Sequence, residues 1–379
     1  MNVLIAVSGK YPTPNAWSKR LSNYVKALQM ENHNVEVMTV FISANSNFRK
    51  LLYSQFIPYL AFWRLFRRVR QHSLVLIYGF GWLGKLLIVI ACKIRSIPVA
   101  VEINEKPYSI HGGSRRDYFL KFIEPFHEFC LTRVLYPLID GFIVISENLA
   151  NDLNRYRKLD ATVCKVPILV DYEYYQHTTG MPDCNAPYLL HSASFNNNKD
   201  GMINVLKAFA IVVNEEHKDL YLYMTSDIAP IKIKKQMKEI LREGKLENRV
   251  AFLGDLDEQT LLAYQQHCCM LVLNKVNSEQ NRYNFATKLG EYLAIGIPVI
   301  TTPIGEVTNY LKGGISCLYV NPEDPSEIAD SIIQLLNDDE FAAKIALEGK
   351  SIARNEFDYR AQSHRLNHFF GSLINKISK

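Results

Sequence analysis

Short apolar runs alternate with amphipathic stretches along nearly the whole chain, and this alternation narrows the possible folds more than any other feature. Val3 to Val7, Val35 to Val40, Val99 to Ile103 and Gly141 to Ile145 read as strands, with helical patterns over Ser18 to Met30 and Arg115 to Tyr136. The second half repeats the pattern. Strands are expected near Tyr188, Leu220, Val250, Met270, Val299 and Cys317, and helices over Gly201 to Asn214, Ile231 to Glu243, Asp257 to Cys268 and Thr287 to Ala294. Strands separated by helix-length segments belong to parallel sheets covered by helices. At 379 residues the chain exceeds what one core accommodates. The fold class expected is therefore α/β, with two doubly wound units in tandem. Their junction falls in the polar, aperiodic stretch from Val170 to Pro187. This gives a first domain over 1–170, a second over 171–355, and a closing segment over 356–379 within a helical run from Ile352 to Ile377.

Composition excludes several other classes. With 48% hydrophobic and 21% charged residues, the chain is neither disordered nor a coiled coil. Its seven cysteines include no C-x-x-C pair, so reduced, cytoplasmic thiols are expected rather than a disulfide framework or a zinc site. The run before Gly9 is too short and lacks the basic flank of a secretory signal, and it reads as a first strand. The apolar stretch Leu74 to Ile94 has the length of a membrane span. Gly79, Gly81 and Gly84 interrupt it, so strand, glycine loop and helix is the reading that continues the pattern.

Charge is unevenly distributed. Residues 1–170 hold 22 basic and 11 acidic groups, whereas the remainder holds 21 and 27. A basic first half points to an anionic partner such as a lipid surface. Pro58 to Gln71 places Tyr59, Phe62, Leu65, Phe66 and Val69 opposite Arg64, Arg67, Arg68 and Gln71, the pattern of an interfacial helix or of an ordinary helix packed on a sheet. No nucleic-acid partner is expected, because the basic residues are scattered and carry no aromatic or zinc-finger signature.

Candidate site residues cluster where parallel strands end. The loop from Ser8 to Ser18 contains Asn15 and closes on Ser18 as a candidate helix cap. Asn104 and Glu105 follow the Val99 to Ile103 strand. Lys199 follows Ser192-Ala193-Ser194-Phe195. The segment Asn284 to Ile300 reads as loop, helix start, glycine stop and buried strand. Thr287 is expected to cap its helix, with Glu291 one turn further along. Amides at a helix start suit an anion, and a nearby carboxylate suits a vicinal diol. Asp255-Leu256-Asp257 is the chain's one Asp-x-Asp, and it reads as a helix cap, so neither a metal nor another cofactor is expected.

Lys288-x-x-Glu291-Tyr292-x-Ala294-x-Gly296-x-Pro298-Val299 resembles the signature helix of the retaining glycosyltransferases of family four, the glycosyl transferases group 1. Tyr11-Pro12, His33-Asn34-Val35-Glu36-Val37, Glu102 to Pro107, Ser146-Glu147, Val166 to Asp171 and Lys199-Asp200-Gly201 extend the resemblance over nearly the whole chain. It implies a GT-B fold, in which two Rossmann-like domains face a cleft, the first binding acceptor and the second binding donor. It also implies transfer of a sugar from a nucleotide diphosphate donor to a glycan or lipid-linked acceptor with retention, in cell-surface polysaccharide synthesis. The tail would cross back onto the first domain. Lys199 and Glu291 match the family's catalytic positions. Ser194 stands where the family usually has arginine, and Tyr283 where it commonly has glutamate. The resemblance assigns Ser194, Lys199, Tyr283, Thr287, Lys288 and Glu291 to the donor, and Asn15, Asn104 and Glu105 to acceptor or sugar. Localisation would be cytoplasmic, with the first domain peripheral on the membrane's inner face. Two rival readings stay open. One is a sugar-nucleotide epimerase using Glu102, Glu105 and Glu291, and the other is a non-catalytic sugar-binding or accessory subunit.

Overall fold

The computed structural model describes residues 1–39, 63, 66–106, 124–177, 180–182, 184, 186–192, 200–215, 219–225 and 231–377. The chain forms two compact units, Met1–Leu169 with Tyr359–Lys379, and Val170–Asp358.

The first unit is built on β1 (Asn2–Val7), α1 (Ala16–Met30), β2 (Asn34–Thr39), β3 (Leu74–Tyr78), α2 (Trp82–Ile94), β4 (Val99–Ile103), β5 (Gly141–Val144), α3 (Glu147–Leu153) and β6 (Thr162–Lys165). The strands form one parallel sheet in the order β2-β1-β3-β4-β5-β6. The strands β3, β4 and β5 are buried along their whole length, as sheets covered on both faces require. On one face Leu21, Tyr24, Ala27 and Leu28 of α1 share a core with Val3, Ile5 and Leu76. The closing helix, Tyr359–Ile377, adds Leu366, Phe369, Phe370 and Leu373 to that core. It comes so close to β5 that a Cβ on Gly141 would lie 2.6 Å from Leu373 Cδ1.

The apolar stretch Leu74 to Ile94 divides into β3 and α2. Gly79, at φ +79°, makes the turn between them, and a Cβ there would collide with Ser8 Oγ at 2.4 Å. No helix among the described residues is long and apolar enough to cross a membrane.

The second unit contains β7 (Tyr188–Ser192), α4 (Met202–Glu215), β8 (Tyr221–Thr225), α5 (Ile231–Glu243), β9 (Val250–Gly254), α6 (Glu258–Gln266), β10 (Met270–Leu273), α7 (Glu279–Tyr283), α8 (Thr287–Ile295), β11 (Val299–Thr301), β12 (Leu318–Tyr319), α9 (Pro325–Asn337) and α10 (Asp339–Ile352). Its parallel sheet runs β12-β11-β10-β7-β8-β9. Met202, Val205, Leu206 and Phe209 of α4 and Ile328, Ile332 and Leu335 of α9 share one core with the sheet. In both units the first strand stands between strands wound in opposite directions, which makes a topological switch point beside β1 and beside β7.

Four expectations change. The helix over Arg115 to Tyr136 is described only from residue 124, where it gives way to a π-helical turn, Cys130–Leu135, and a 3-10 turn, Tyr136–Leu138. Pro137 cannot donate to the preceding turn, which favours that ending. The polar stretch after Val170 is not simply a linker, since it holds the 3-10 turn Tyr172–Gln176 with Tyr172 and Tyr175 buried. The run from Ile352 to Ile377 breaks at Asp358, whose backbone is extended. Phe357 before it is fully buried against Phe285 and Tyr310, with ring centroids at 5.5 and 5.2 Å. That burial outweighs helix continuity. Finally, α3, β6, α7, α9 and α10 have no counterpart among the expected elements; α3, β6 and α7 are short, whereas α9 and α10 run to 13 and 14 residues. Half of the basic helix expected from Pro58 to Gln71, including Tyr59, Phe62, Arg64 and Leu65, lies outside the described residues. Of its remainder, Val69 is buried and Arg68 pairs with Glu36.

Candidate functional site

In the second unit the carboxyl end of β7 is tied to α8. Apolar residues at Phe285, Leu289, Tyr292 and Leu293 recur at helical spacing and are buried, which seats α8 on the sheet. Lys288 and Tyr292 lie one turn apart on the helix. Lys288 Nζ donates to the Ser192 carbonyl at 2.8 Å and to Ser192 Oγ at 3.1 Å, and the Tyr292 hydroxyl donates to the same carbonyl at 3.1 Å. Thr225 Oγ1 donates to Ser192 Oγ at 3.0 Å, which adds β8 to the knot.

The start of α8 differs from the sequence expectation. Thr287 is its first helical residue and not its cap; the cap is Ala286, whose side chain accepts no hydrogen bond. The helix stops at Gly296, which is left-handed at φ +84°. Ahead of it, α7 is capped by Ser278 Oγ and ends at the half-buried Tyr283. Gly305, at φ +64°, packs against this segment so closely that a Cβ would lie 2.6 Å from the Asn281 carbonyl. The loop leading into α8 is thereby held in place. Glu291 is half-buried and lies near enough to the buried Tyr175 that its charge adds to burial in raising the pKa of that phenol.

Several buried polar groups here escaped the sequence reading. His191, on β7, bonds the Val272 carbonyl of β10 through Nδ1 at 2.9 Å, so Nδ1 carries the proton. Burial lowers its pKa to about 4, so the ring is neutral near pH 7 and presents a bare Nε2. That Nε2, with Asn274 Oδ1, Thr301 Oγ1 and Thr302 Oγ1, has no hydrogen-bond partner among the described residues. Lys275 pairs with the buried Asp200, and Asn274 Nδ2 donates to the Gly201 carbonyl at 2.9 Å. A histidine one residue before a strand's end was the only available signal. Ser194 and Lys199 lie outside the described residues.

The first unit's candidates are dispersed around its own switch point. Asn15 is the exposed N-cap of α1 and makes no side-chain cap bond. Ser18, expected as a cap, is buried inside the helix, where its Oγ accepts from the Thr13 amide at 2.9 Å. Asn104 Nδ2 donates to the Tyr78 hydroxyl at 3.3 Å, the hydroxyl donates to the Trp17 carbonyl at 3.0 Å, and Asn104 Oδ1 has no partner among the described residues. Glu105 is exposed. Glu102 is held in a buried network: its Oε1 accepts from Arg20 Nε and from the Tyr24 hydroxyl, both at 2.7 Å. Burial raises its pKa, and Arg20 opposes that rise. Its Oε2 is buried with no hydrogen-bond partner among the described residues, and a carboxylate shut away from solvent in this way, with its other oxygen held by Arg20 and Tyr24, is poorly placed as the acid or base of an epimerase.

Asp257 is a cap, as its pattern predicts; Oδ1 accepts from the amides of Gln259 and Thr260 at 3.0 Å each. Among the described residues no group of three or more His, Cys, Asp or Glu side chains could hold a metal ion.

Two parallel, doubly wound units in one chain define the GT-B fold, and solved structures share it over nearly their full length. Sucrose-phosphate synthase from Thermosynechococcus elongatus superposes with a TM-score of 0.75 at 15% identity, covering 99% of this chain and 100% of that one. HepE of Anabaena, solved in complex with UDP, gives 0.69 at 16% identity, covering 98% and 100%. Residues 186–338, within the second unit, match the family model described as Glycosyl transferases group 1. N-acetyl-alpha-D-glucosaminyl L-malate synthase of Bacillus anthracis is 29% identical over 170 residues, which is 45% of this chain and 41% of that protein. A 2-deoxystreptamine N-acetyl-D-glucosaminyltransferase of Niallia circulans is 24% identical over 121 residues, 32% of this chain and 30% of its own length. The chain thus matches less than half the length of these curated relatives.

Proposed function

We propose that this chain is a glycosyltransferase that takes a sugar from a nucleoside diphosphate donor and passes it to a glycan or lipid-linked acceptor, with retention at the anomeric carbon. The observation that carries this reading is the start of α8. Its cap residue offers no side chain to the first-turn amides, it stands at the switch point beside Ser192, and it has Lys288 and Glu291 within its first turns. Such a helix start attracts a diphosphate through its amides and dipole, while Glu291 accepts from a ribose diol. The group 1 match over 186–338 and the UDP bound in HepE support the same assignment.

In this reading Lys199, Lys288 and the helix start hold the diphosphate, with Ser194, Tyr283 and Thr287 at the donor's edge. Positive groups fixed where charge grows on the departing diphosphate stabilise the transition state. No metal is needed for that role. The departing phosphate takes the acceptor's proton, so no protein base is required. Asn15, Asn104 and Glu105 of the first unit hold acceptor or sugar through neutral and anionic acceptors of hydroxyl hydrogen bonds. Retention and cell-surface polysaccharide synthesis rest on the family resemblance. The basic excess of residues 1–170, with Trp63 and Arg67 exposed, supports contact with an anionic membrane surface. Binding to anionic vesicles that falls sharply with added salt checks that part.

A screen of nucleotide sugars with detection of released nucleotide, run with EDTA present, tests the main reading. Release that requires acceptor and survives chelation is expected. Loss on chelation restored by magnesium contradicts the metal-free mechanism, and nucleotide binding without turnover of any donor favours an accessory subunit.

A further inference from the structure

Two neighbouring elements of the first unit turn apolar side chains outward. Along α2, Gly84, Ile88, Val89, Ala91 and Cys92 are buried, while Leu83, Leu86 and Leu87 are half-buried and Ile90 and Ile94 are exposed. Those last five recur at helical spacing, so the face that α2 turns away from its core is as apolar as the face it buries. The segment that begins at residue 124 and passes through the π-helical turn does the same. It buries Cys130, Leu131, Leu135 and Ile139 and exposes Phe126, Phe129, Val134 and Leu138. The π-helical turn packs on α2, and the Trp82 ring meets Phe126 edge-on with centroids 6.0 Å apart. Six of the thirteen large apolar side chains exposed among the described residues lie on these two elements, which makes a patch and not scatter. A contiguous apolar patch marks an interaction surface.

Basic side chains border it. Arg95, at the end of α2, lies over the Phe66 ring at 4.3 Å, which brings the segment with Arg67 and Arg70 against that end. Arg67, Arg70, Arg95 and Arg133 are exposed, and across residues 66–70, 82–95 and 124–138 the one exposed acidic side chain is Glu128. A second copy of the chain would set this basic border against itself. An anionic bilayer offers phosphates to the border and acyl chains to the patch.

We infer that this face enters an anionic bilayer, with Ile90, Ile94, Phe126 and Phe129 among the acyl chains and Arg67, Arg70, Arg95 and Arg133 at the headgroups. The inference rests on the membrane contact of the first unit read above, and adds insertion to attraction by charge. It also bears on the acceptor. The helix α2 starts at the carboxyl end of β3, and Asn104 follows the carboxyl end of β4, its neighbour in the sheet. The patch therefore begins at the end of the sheet where the head of a lipid-linked acceptor is needed.

The test uses the full chain and flotation with vesicles of phosphatidylcholine mixed with phosphatidylglycerol. Ile90→Gln with Ile94→Gln, and separately Phe126→Gln with Phe129→Gln, should each lower binding about ten-fold, at low and at high salt alike, because two side chains no longer enter the acyl region. Replacing Arg67, Arg70 and Arg133 by glutamine should remove only the salt-dependent part. The melting temperature should hold in all three, since the positions are exposed. Phe129→Trp should gain quenching by brominated acyl chains, and Leu159→Trp, at a fully exposed position outside both elements, should not. If the wild-type chain binds these vesicles and neither apolar pair matters, the inference alone falls. A wild-type chain that ignores them at low salt overturns the membrane reading together with it. A dimer in solution that either apolar pair dissociates, without vesicle binding, assigns the face to a second copy of the chain and overturns the inference as well.

Discussion

The two units wind their sheets around switch points of the same kind, yet they place charge there in opposite ways. In the first unit the order is 2-1-3-4-5-6, and the buried charges beneath its switch point are closed on one another. Arg20 donates to Glu102, to the Tyr24 hydroxyl and to the Val166 and Pro167 carbonyls. What remains near the strand ends is Asn104, the hydroxyl of Tyr78 and the exposed carboxylate of Glu105. In the second unit the order from the other edge is 3-2-1-4-5-6, and the strand end carries a lysine, a neutral histidine and a helix start without a side-chain cap. The proposed anion site thus lies in the half of the chain with the acidic excess, and the site proposed in the basic half, Asn15, Asn104 and Glu105, carries no positive charge of its own. Net charge reports the surface a unit presents to solvent and says little about the few groups that a fold gathers at one strand end.

This contrast can be broken from either side. The largest effect is expected in the first unit. Arg20→Met leaves Glu102 buried without its cation, which costs about 3–5 kcal/mol. Denaturant unfolding should show that loss with nucleotide affinity intact, and Arg20→Met with Glu102→Leu should recover most of it. A cost below about 1 kcal/mol for Arg20→Met would mean that the network is dispensable.

In the second unit, His191 has a folded pKa of about 4, below its ordinary 6.5. The unfolded chain therefore gains a proton on this group before the folded chain does. Its contribution is fully present above pH 6.5 and is lost as pH falls toward 4, by roughly 3 kcal/mol over that window. His191→Gln should flatten this part of the stability profile of the intact protein; an unchanged slope places the acid sensitivity elsewhere.

A smaller effect follows from Lys288→Ala. Loss of a charged donor near the diphosphate should weaken nucleoside diphosphate binding by about 1.5–3 kcal/mol, read by calorimetry. The Arg20 variants should leave that affinity alone, and this asymmetry is the sharpest form of the comparison. The smallest effect is expected at Asp257→Ala, which removes a solvent-exposed helix cap. It should lower thermal stability without changing activity in EDTA. An activity loss rescued by magnesium would show Asp257 to be more than a cap.

Much of the architecture was legible because it depends on patterns only a few residues long. The run Val99 to Ile103 coincides with β4, and Ile231 to Glu243 with α5. The Gly296 stop and the Asp257 cap are local chemistry and were readable for that reason. What depended on distant contacts was not readable. The break at Asp358 depends on Phe357 finding Phe285 and Tyr310, residues far away in sequence. Ser18 looked like a cap because serine at the edge of a periodic stretch usually is one, and only the fold shows its hydroxyl turned back to Thr13. For the same reason Glu102 was open as an acid or base until Arg20 and Tyr24 were placed against it. His191, Asp200 and Lys275 converge from β7, the start of α4 and the end of β10, a convergence no spacing rule anticipates.

Hydrogen exchange of the full chain, with and without a saturating nucleoside diphosphate, tests the central claim most directly. Amide protection reports where a ligand closes local openings. The account predicts new protection over the start of α8, from Thr287 to Glu291, and at the end of β7, with the strand ends of the first unit unchanged. Protection confined to Ser8–Ser18 and Ile103–Lys106 of the first unit, or absent from α8 at saturation, would contradict it.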